Sequence, residues 1–105
     1  MSVSYSTRFG YGFVISYNEY KDLDKDKMIL FQESDYALRL DGWSYTSDYF
    51  FGIEIKSIEP GQYLMIPPVT PYTHDEFMDA LKEFKDIFPN RKDYVPHNYI
   101  LSCVD

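Results

Sequence analysis

The sequence predicts a small α+β domain in which one mainly antiparallel sheet is covered by one or two helices. Three observations lead to this prediction. The chain has 105 residues, which is the size of one domain, so residues 1–105 are assigned to a single unit. Segments rich in β-branched and aromatic residues, separated by glycine and proline, are typical of strands. One segment near the C-terminus instead repeats its apolar residues with the period of a helix.

The first and last strands are predicted from continuous apolar runs. Phe9–Tyr17 combines phenylalanine, tyrosine, valine and isoleucine with two glycines, which indicate a bulge or a close approach of the backbone. Tyr99–Val104 is apolar on both faces, so it is predicted to be an interior strand.

The segment after the first strand is predicted to be a helix. Asn18 is its expected N-cap, and Tyr20, Leu23 and Phe31 fall on one helical face. Lys27 interrupts that face.

Two hairpins are expected in the middle of the chain. Tyr36–Leu40 alternates and runs into Asp41-Gly42, a dipeptide that favours a tight turn, so Trp43–Thr46 is the expected return strand.

The second hairpin joins Phe50–Ile58, which also alternates, to Tyr63–Ile66. Pro60-Gly61 between them has the residue order of a type II turn, since proline fixes φ at the second position and glycine tolerates a positive φ at the third.

The clearest element is a helix over His74–Phe88. Thr73 and Glu76 have the spacing of a capping box, and Pro89 ends the helix. Its apolar residues share one arc that should face the core: Phe77, Ala80, Leu81, Phe84, Ile87 and Phe88.

The opposite arc of this helix is acidic. It carries Asp75, Glu76, Asp79, Glu83 and Asp86, interrupted only by Lys82. A spaced row of carboxylates can imitate DNA phosphates and occupy a basic groove on another protein. The alternative is an ordinary solvent-facing side whose acids lie near the helix N-terminus because the dipole favours them there.

Charge and composition exclude several classes of function. The net charge is −7 and the pI is about 4.6, which disfavours direct nucleic-acid binding, since that requires lysine and arginine clusters. No apolar run is long enough to span a membrane, and the N-terminus lacks the pattern of a signal peptide. A single cysteine, Cys103, fits a reducing compartment, so a cytoplasmic location is expected.

A calcium-binding loop is an alternative for the acidic run near residue 24. Asp22, Asp24, Asp26 and Glu33 occupy positions 1, 3, 5 and 12 of an EF-hand-like spacing, and calcium prefers such oxygen ligands. Lys27 stands where the EF-hand loop needs a glycine.

No catalytic constellation is found, so the sequence predicts a protein that is not an enzyme and needs no cofactor. Cys103 lies in an apolar strand, where a thiol is normally buried and inert. His74 and His97 lack the spacing of a zinc site.

The segment from Phe51 to Ile66, followed by the helix from His74, resembles the midsection of GyrI-like effector-binding domains. There a strand, a Gly-x-Tyr turn and strand, and an amphipathic helix follow in that order. The resemblance implies a strand-helix-strand-strand scaffold and, in some members, capture of apolar cationic molecules. Such a site would need an aromatic pocket with a buried carboxylate, for which Glu54 is the first candidate.

These observations together predict a small acidic binding protein that acts on another protein with a basic surface. Small acidic, aromatic-rich chains of this kind are similar to those encoded by bacteriophages and mobile elements, so inhibition of a nucleic-acid-handling protein is the specific expectation. Eleven tyrosines are difficult to bury entirely, and those left exposed are expected to serve as anchors at the interface. The oligomeric state is left open.

Overall fold

The computed structural model describes residues 5–59, 61–63 and 71–104. Four strands and three helices are found there, and the predicted α+β class is confirmed. In chain order the elements are β1 (Tyr5–Ile15), α1 (Tyr17–Lys21), α2 (Lys25–Glu33), β2 (Ala37–Arg39), β3 (Tyr49–Ile58), α3 (Pro71–Ile87) and β4 (His97–Val104). The strand order is β2-β3-β1-β4, and all three pairings are antiparallel.

One face of the sheet is covered by α3. Phe77, Phe84 and Ile87 of this helix are buried there, as their helical spacing predicts. Phe84 stacks on Phe13 of β1 with ring centroids 4.1 Å apart, and Phe51 of β3 lies 5.3 Å from Phe84 by the same measure. Aromatic side chains from three elements therefore form the main core.

The sheet is curled, so that its second face is partly enclosed. Strands lie about 4.8 Å apart, so the outer strands of a flat four-stranded sheet could not touch. Here the chain just beyond β2 hydrogen-bonds to the end of β4: the Val104 N–H donates to the Leu40 carbonyl (2.9 Å), and the Gly42 N–H donates to the Val104 carbonyl (2.8 Å). The curl encloses Phe50, Leu101 and Cys103, which are buried although none of the described helices covers them.

Two glycines permit a close approach of β1 and β3 at the centre of the sheet. Gly12 and Gly52 are opposite each other in the register. A Cβ atom added to Gly12 would lie 2.3 Å from the Phe51 carbonyl oxygen, and one added to Gly52 would lie 2.3 Å from the Tyr11 carbonyl oxygen. Only glycine fits either position, which agrees with the close approach predicted for the first strand.

The helix predicted from Asn18 to Phe31 is wrong, because the structure has two helices there. Ser16, and not Asn18, caps α1 by accepting from the Glu19 N–H. Asp24 interrupts the helical run, since its side chain accepts from the Lys27 N–H and starts α2. A short acidic side chain that takes a backbone donor in this way favours a new N-cap over a continuous helix.

The helix predicted over His74–Phe88 is present but begins earlier and ends one residue sooner, since α3 spans Pro71–Ile87. Proline is tolerated at a first helical position because its missing N–H has no intrahelical partner there. The Thr73 and Glu76 capping box is therefore wrong, as Thr73 lies inside the helix.

The predicted hairpin of Tyr36–Leu40 and Trp43–Thr46 is also wrong. The short strand β2 pairs with β3, and Trp43–Thr46 forms turns. The physical reason is local: the Asp41 carboxylate accepts from the Trp43 N–H at 2.9 Å, which bends the chain away from a return strand.

For the second predicted hairpin, the turn is confirmed in its described residues. The Gln62 N–H donates to the Glu59 carbonyl at 3.0 Å, and Gly61 has a φ of 87°, as a type II turn requires. Residues 64–66 of the expected partner strand lie outside the described residues, and Tyr63 is not in a strand.

The last strand is longer than predicted and lies at the end of the strand order, so its interior placement is wrong for the described sheet. Leu101 and Cys103 are buried, whereas Ile100, which directly precedes Leu101, is 69% exposed. The curl explains why this outer strand has apolar residues on both faces. It buries one side of the strand, while Ile100 on the other side stays in solvent.

Candidate protein-binding surface

The five predicted carboxylates are together on one side of α3. We call this set the acidic face: Asp75, Glu76, Asp79, Glu83 and Asp86. All five side chains are exposed, and within the described residues none of them forms an ion pair. The core residues Phe77, Ala80 and Phe84 hold the helix on the sheet, so the direction of the acidic face is fixed by the main core.

The acidic face adjoins α2. The Ser34 hydroxyl, just after α2, donates to the Glu83 carboxylate at 3.1 Å. The Lys27 ammonium donates to the main-chain carbonyl of Asp86, so it does not neutralise the Asp86 carboxylate directly. These contacts tie the second half of the acidic face to a neighbouring helix and leave its charges in solvent.

Tyr36 is close enough to the acidic face for the carboxylates there to influence it. Partial burial raises the pKa of Tyr36 above its ordinary value, and the carboxylates of Asp79, Glu83, Asp35 and Glu76 raise that pKa further. The acidic face therefore produces a negative potential at this half-buried phenol. No sequence pattern relates Tyr36 to a helix some forty residues away, because only the folded sheet brings them close.

Several other tyrosines whose side chains are described lie away from this face. Three of those described are strongly exposed, namely Tyr5, Tyr45 and Tyr63, and they lie at the start of β1, in the loop after β2 and after the 59–62 turn. Tyr20 is buried and stacks on Tyr49 with centroids 4.4 Å apart. Of the tyrosines whose side chains the structure describes, Tyr36 is the one influenced by these carboxylates, and the side chain of Tyr72 on α3 lies outside those described.

The predicted calcium ligands are not brought together. Asp22 ends α1, Asp24 caps α2, Asp26 is in the first turn of α2 and Glu33 is its last residue. The segment that an EF-hand needs as a loop is thus a helix, and it holds Glu33 about 13 Å along the axis from Asp24. No three acidic, histidine or cysteine side chains among the described residues form a group that could hold a metal ion.

Glu54 does not have the surroundings that the resemblance to GyrI-like domains would need. Its carboxylate lies 3.1 Å from the Arg8 guanidinium, and its side chain is 39% exposed. It lines an open cleft of about 310 Å³ beside Tyr36 and Phe50. A carboxylate that is exposed and already paired with arginine is not the buried acid expected for capture of an apolar cation.

Of the residues considered for catalysis, Cys103 and His97 are described, and they lie near opposite ends of β4. Cys103 is buried in the curl of the sheet, as predicted from its apolar strand. His97 is exposed at the start of β4, where its ring lies 6.2 Å from that of Tyr99. The side chain of His74 lies outside those described.

No described helix is both long and apolar enough to cross a membrane. Comparison of the chain with protein-family models, with curated proteins and with solved structures found no match.

Proposed function

We propose that this protein is a non-catalytic binding protein that uses its acidic face to occupy a basic surface on another protein. The partner that fits best is a nucleic-acid-handling protein, which the bound chain would inhibit by covering its phosphate-binding surface. The single cysteine favours action in a reducing compartment.

The position of the acidic face on α3 is the observation that supports this proposal. Acidic side chains often gather at a helix N-terminus because the dipole stabilises them there. However, α3 begins at Pro71, and its first turn has no acidic residue. Glu83 and Asp86 instead lie toward the C-terminal end, where the dipole disfavours carboxylates. The helix dipole therefore does not account for this arrangement.

Repulsion within the face supports the same conclusion. Asp75 and Asp79, and likewise Asp79 and Glu83, are four residues apart on the helix, a spacing at which like charges destabilise it. Within the described residues no lysine or arginine offsets them through an ion pair. A row of like charges that weakens its own helix is explained by a partner that neutralises it.

The spacing of these charges is compatible with mimicry of nucleic acid. Asp75 and Asp86 are eleven positions apart in the sequence, which at 1.5 Å per residue is about 16 Å along the axis. Five charges over that length give one per about 3–4 Å, close to the value of about 3.4 Å along one DNA strand. Electrostatic steering by such a row would also speed association with a basic surface.

The test uses two matched triple variants as bait for affinity capture from the source cells. In the first, Asp75→Asn, Asp79→Asn and Asp86→Asn remove three charges from the acidic face and keep the Glu83 contact with Ser34. In the second, Glu33→Gln, Glu59→Gln and Asp93→Asn remove three exposed charges elsewhere.

We expect a basic protein to be captured by the wild type and by the second triple, and to be lost with the first. Retention by both variants would contradict the role of the acidic face, and loss from both would indicate that only the net charge matters. Duplex DNA should displace the captured protein from the wild-type bait if its covered surface binds phosphates. If DNA does not displace the captured protein, the proposal that the partner handles nucleic acid is rejected, and only the proposal of a basic partner is retained.

A further inference from the structure

A concave feature separate from the cleft that Glu54 lines adjoins the acidic face. It is a cleft of about 320 Å³ between the α1–α2 turn and the residues that follow α3. Ligand sites generally measure about 300–1,000 Å³, so this cleft is suited to one side chain more than to a large cofactor. Ile87, which lines the cleft, directly follows Asp86 of the acidic face.

The two cations that line the cleft are already engaged. The Arg91 guanidinium donates to the Glu19 carboxylate at 2.7 Å and lies 5.2 Å from the centroid of the Phe84 ring. The Lys27 ammonium donates to the Asp86 carbonyl. Neither is therefore available to attract an anion into the cleft without losing an existing contact.

The carboxylates in the cleft are less fully engaged in hydrogen bonds than the two cations are. The lining includes three carboxylates, those of Glu19, Asp22 and Asp24, and so has one more acid than base. Asp24 accepts from the Lys27 N–H, whereas the exposed Asp22 carboxylate accepts no hydrogen bond from the described residues.

The end of α3 adds further negative potential to the cleft. Helix C-termini present unpaired carbonyls and the negative end of the dipole. Pro89 has no N–H, so it cannot donate to the carbonyl of Lys85 as a continuing helix would. The fold already places one ammonium, that of Lys27, at these carbonyls, which shows that this end of the helix accepts cations.

The apolar part of the lining suits an aliphatic stem. Leu23 is half-buried and Pro89 is exposed, and they lie with the buried side chains of Ile87 and Phe88. A side chain with an apolar stem and a charged head would bury the stem here and keep its head among the acceptors.

We infer that this cleft receives an arginine side chain of the basic partner, with its guanidinium at Asp22 and its stem against Leu23 and Pro89. This inference rests on the proposed function, since it supplies an anchor beside the acidic face. Arginine fits better than lysine because its planar fork matches a carboxylate in two places.

The test is an NMR titration of the ¹⁵N-labelled protein with N-acetyl-arginine amide. Saturable shifts are expected for the backbone amides of Leu23, Asp24, Asn90 and Arg91, with a dissociation constant of about 1–10 mM. The matched control is N-acetyl-citrulline amide, which has nearly the same shape without the charge and should leave these amides unchanged. Asp22→Asn should weaken arginine binding about threefold to fivefold, as expected for one exposed charge pair.

Three results would overturn the inference: no shift at about 50 mM ligand, equal shifts with citrulline, or shifts confined to the acidic face. Asp22 is exposed at the end of α1, so the variant should keep the wild-type spectrum and remain interpretable. The acidic-face triple variant separates the two proposals. If it loses the partner while arginine amide fails to bind the cleft, only this inference fails. If arginine amide binds the cleft while the triple keeps the partner, the proposed role of the acidic face fails and the cleft remains a site for an arginine side chain.

Discussion

The rings of Phe13 on β1 and Phe84 on α3 lie parallel, with centroids 4.1 Å apart and planes inclined by 4°. Both side chains are almost fully buried. This stack joins the helix that carries the acidic face to a central strand, so the position of the face depends on it.

Phe84→Ala should therefore destabilise the fold by about 3–5 kcal/mol, because it removes the stack and leaves a cavity. Urea unfolding measures this change. Met78→Ala is the control on the same helix, since Met78 is 47% exposed and its loss should cost less than about 0.5 kcal/mol. Similar losses for both variants would mean that α3 is not held through Phe84.

The Arg91 and Glu19 pair ties the segment after α3 to α1. Both side chains are partly exposed, at 23% and 35%, so a double-mutant cycle with Arg91→Gln and Glu19→Gln should give a coupling of about 0.5–1 kcal/mol. Arg91→Gln alone should cost more than Glu19→Gln, because the guanidinium also lies over the rings of Phe13 and Phe84. Additive effects of the two changes would contradict the pairing.

The close approach of β1 and β3 predicts a strong effect for Gly12→Ala. The new Cβ would lie 2.3 Å from the Phe51 carbonyl oxygen and 2.7 Å from the Cα of Gly52, so the strands must move apart. Thermal unfolding should show a loss of about 1–3 kcal/mol. An unchanged melting temperature would show that the strands are not this close.

The pKa of Tyr36 provides a test of the potential beside the acidic face. Burial raises this pKa, as do the carboxylates of Asp79 and Glu83. Combining Asp79→Asn with Glu83→Gln should therefore lower the pKa of Tyr36, as measured by NMR titration of ¹³Cζ-labelled tyrosine. The pKa of Tyr49, which is raised by burial and by Tyr20, should not change. A pKa of Tyr36 that does not respond would place the carboxylates too far away to act on it.

The same raised pKa has a consequence for stability at high pH. The folded protein holds the Tyr36 proton more tightly than the unfolded chain does, so this contribution to stability is intact below about pH 10 and is lost as the pH rises through the folded-state pKa. Tyr36→Phe cannot ionise and should lose less stability than the wild type between about pH 9 and pH 11. Urea unfolding at both pH values measures the difference, and equal losses in the two proteins would contradict it.

The apolar period of α3 was predictable from the sequence because one helix face meets one sheet face, and that relation is local. The acidic arc follows from the same period. The division between α1 and α2 was missed because the capping by Asp24 competes with a helical pattern that continues through it.

Features that depend on distant parts of the chain could not be found from local patterns. The contact of Leu40 and Gly42 with Val104 joins residues more than sixty positions apart. Because of this contact, the apolar residues of β4 are compatible with an outer strand and do not require an interior one. Tyr36 likewise comes under the influence of the acidic face only when β2 pairs with β3. In both cases the sheet topology, and not residue spacing, determines which side chains are neighbours.

The most direct test of the central claim is the footprint of the captured partner on the ¹⁵N-labelled protein. We predict that the backbone amides of Glu76, Asp79 and Glu83 broaden or shift, together with those of Asp35 and Tyr36, while β4 keeps its free spectrum. A footprint centred on β4, or on the loop that exposes Trp43 and Tyr45, would contradict the assignment of binding to the acidic face.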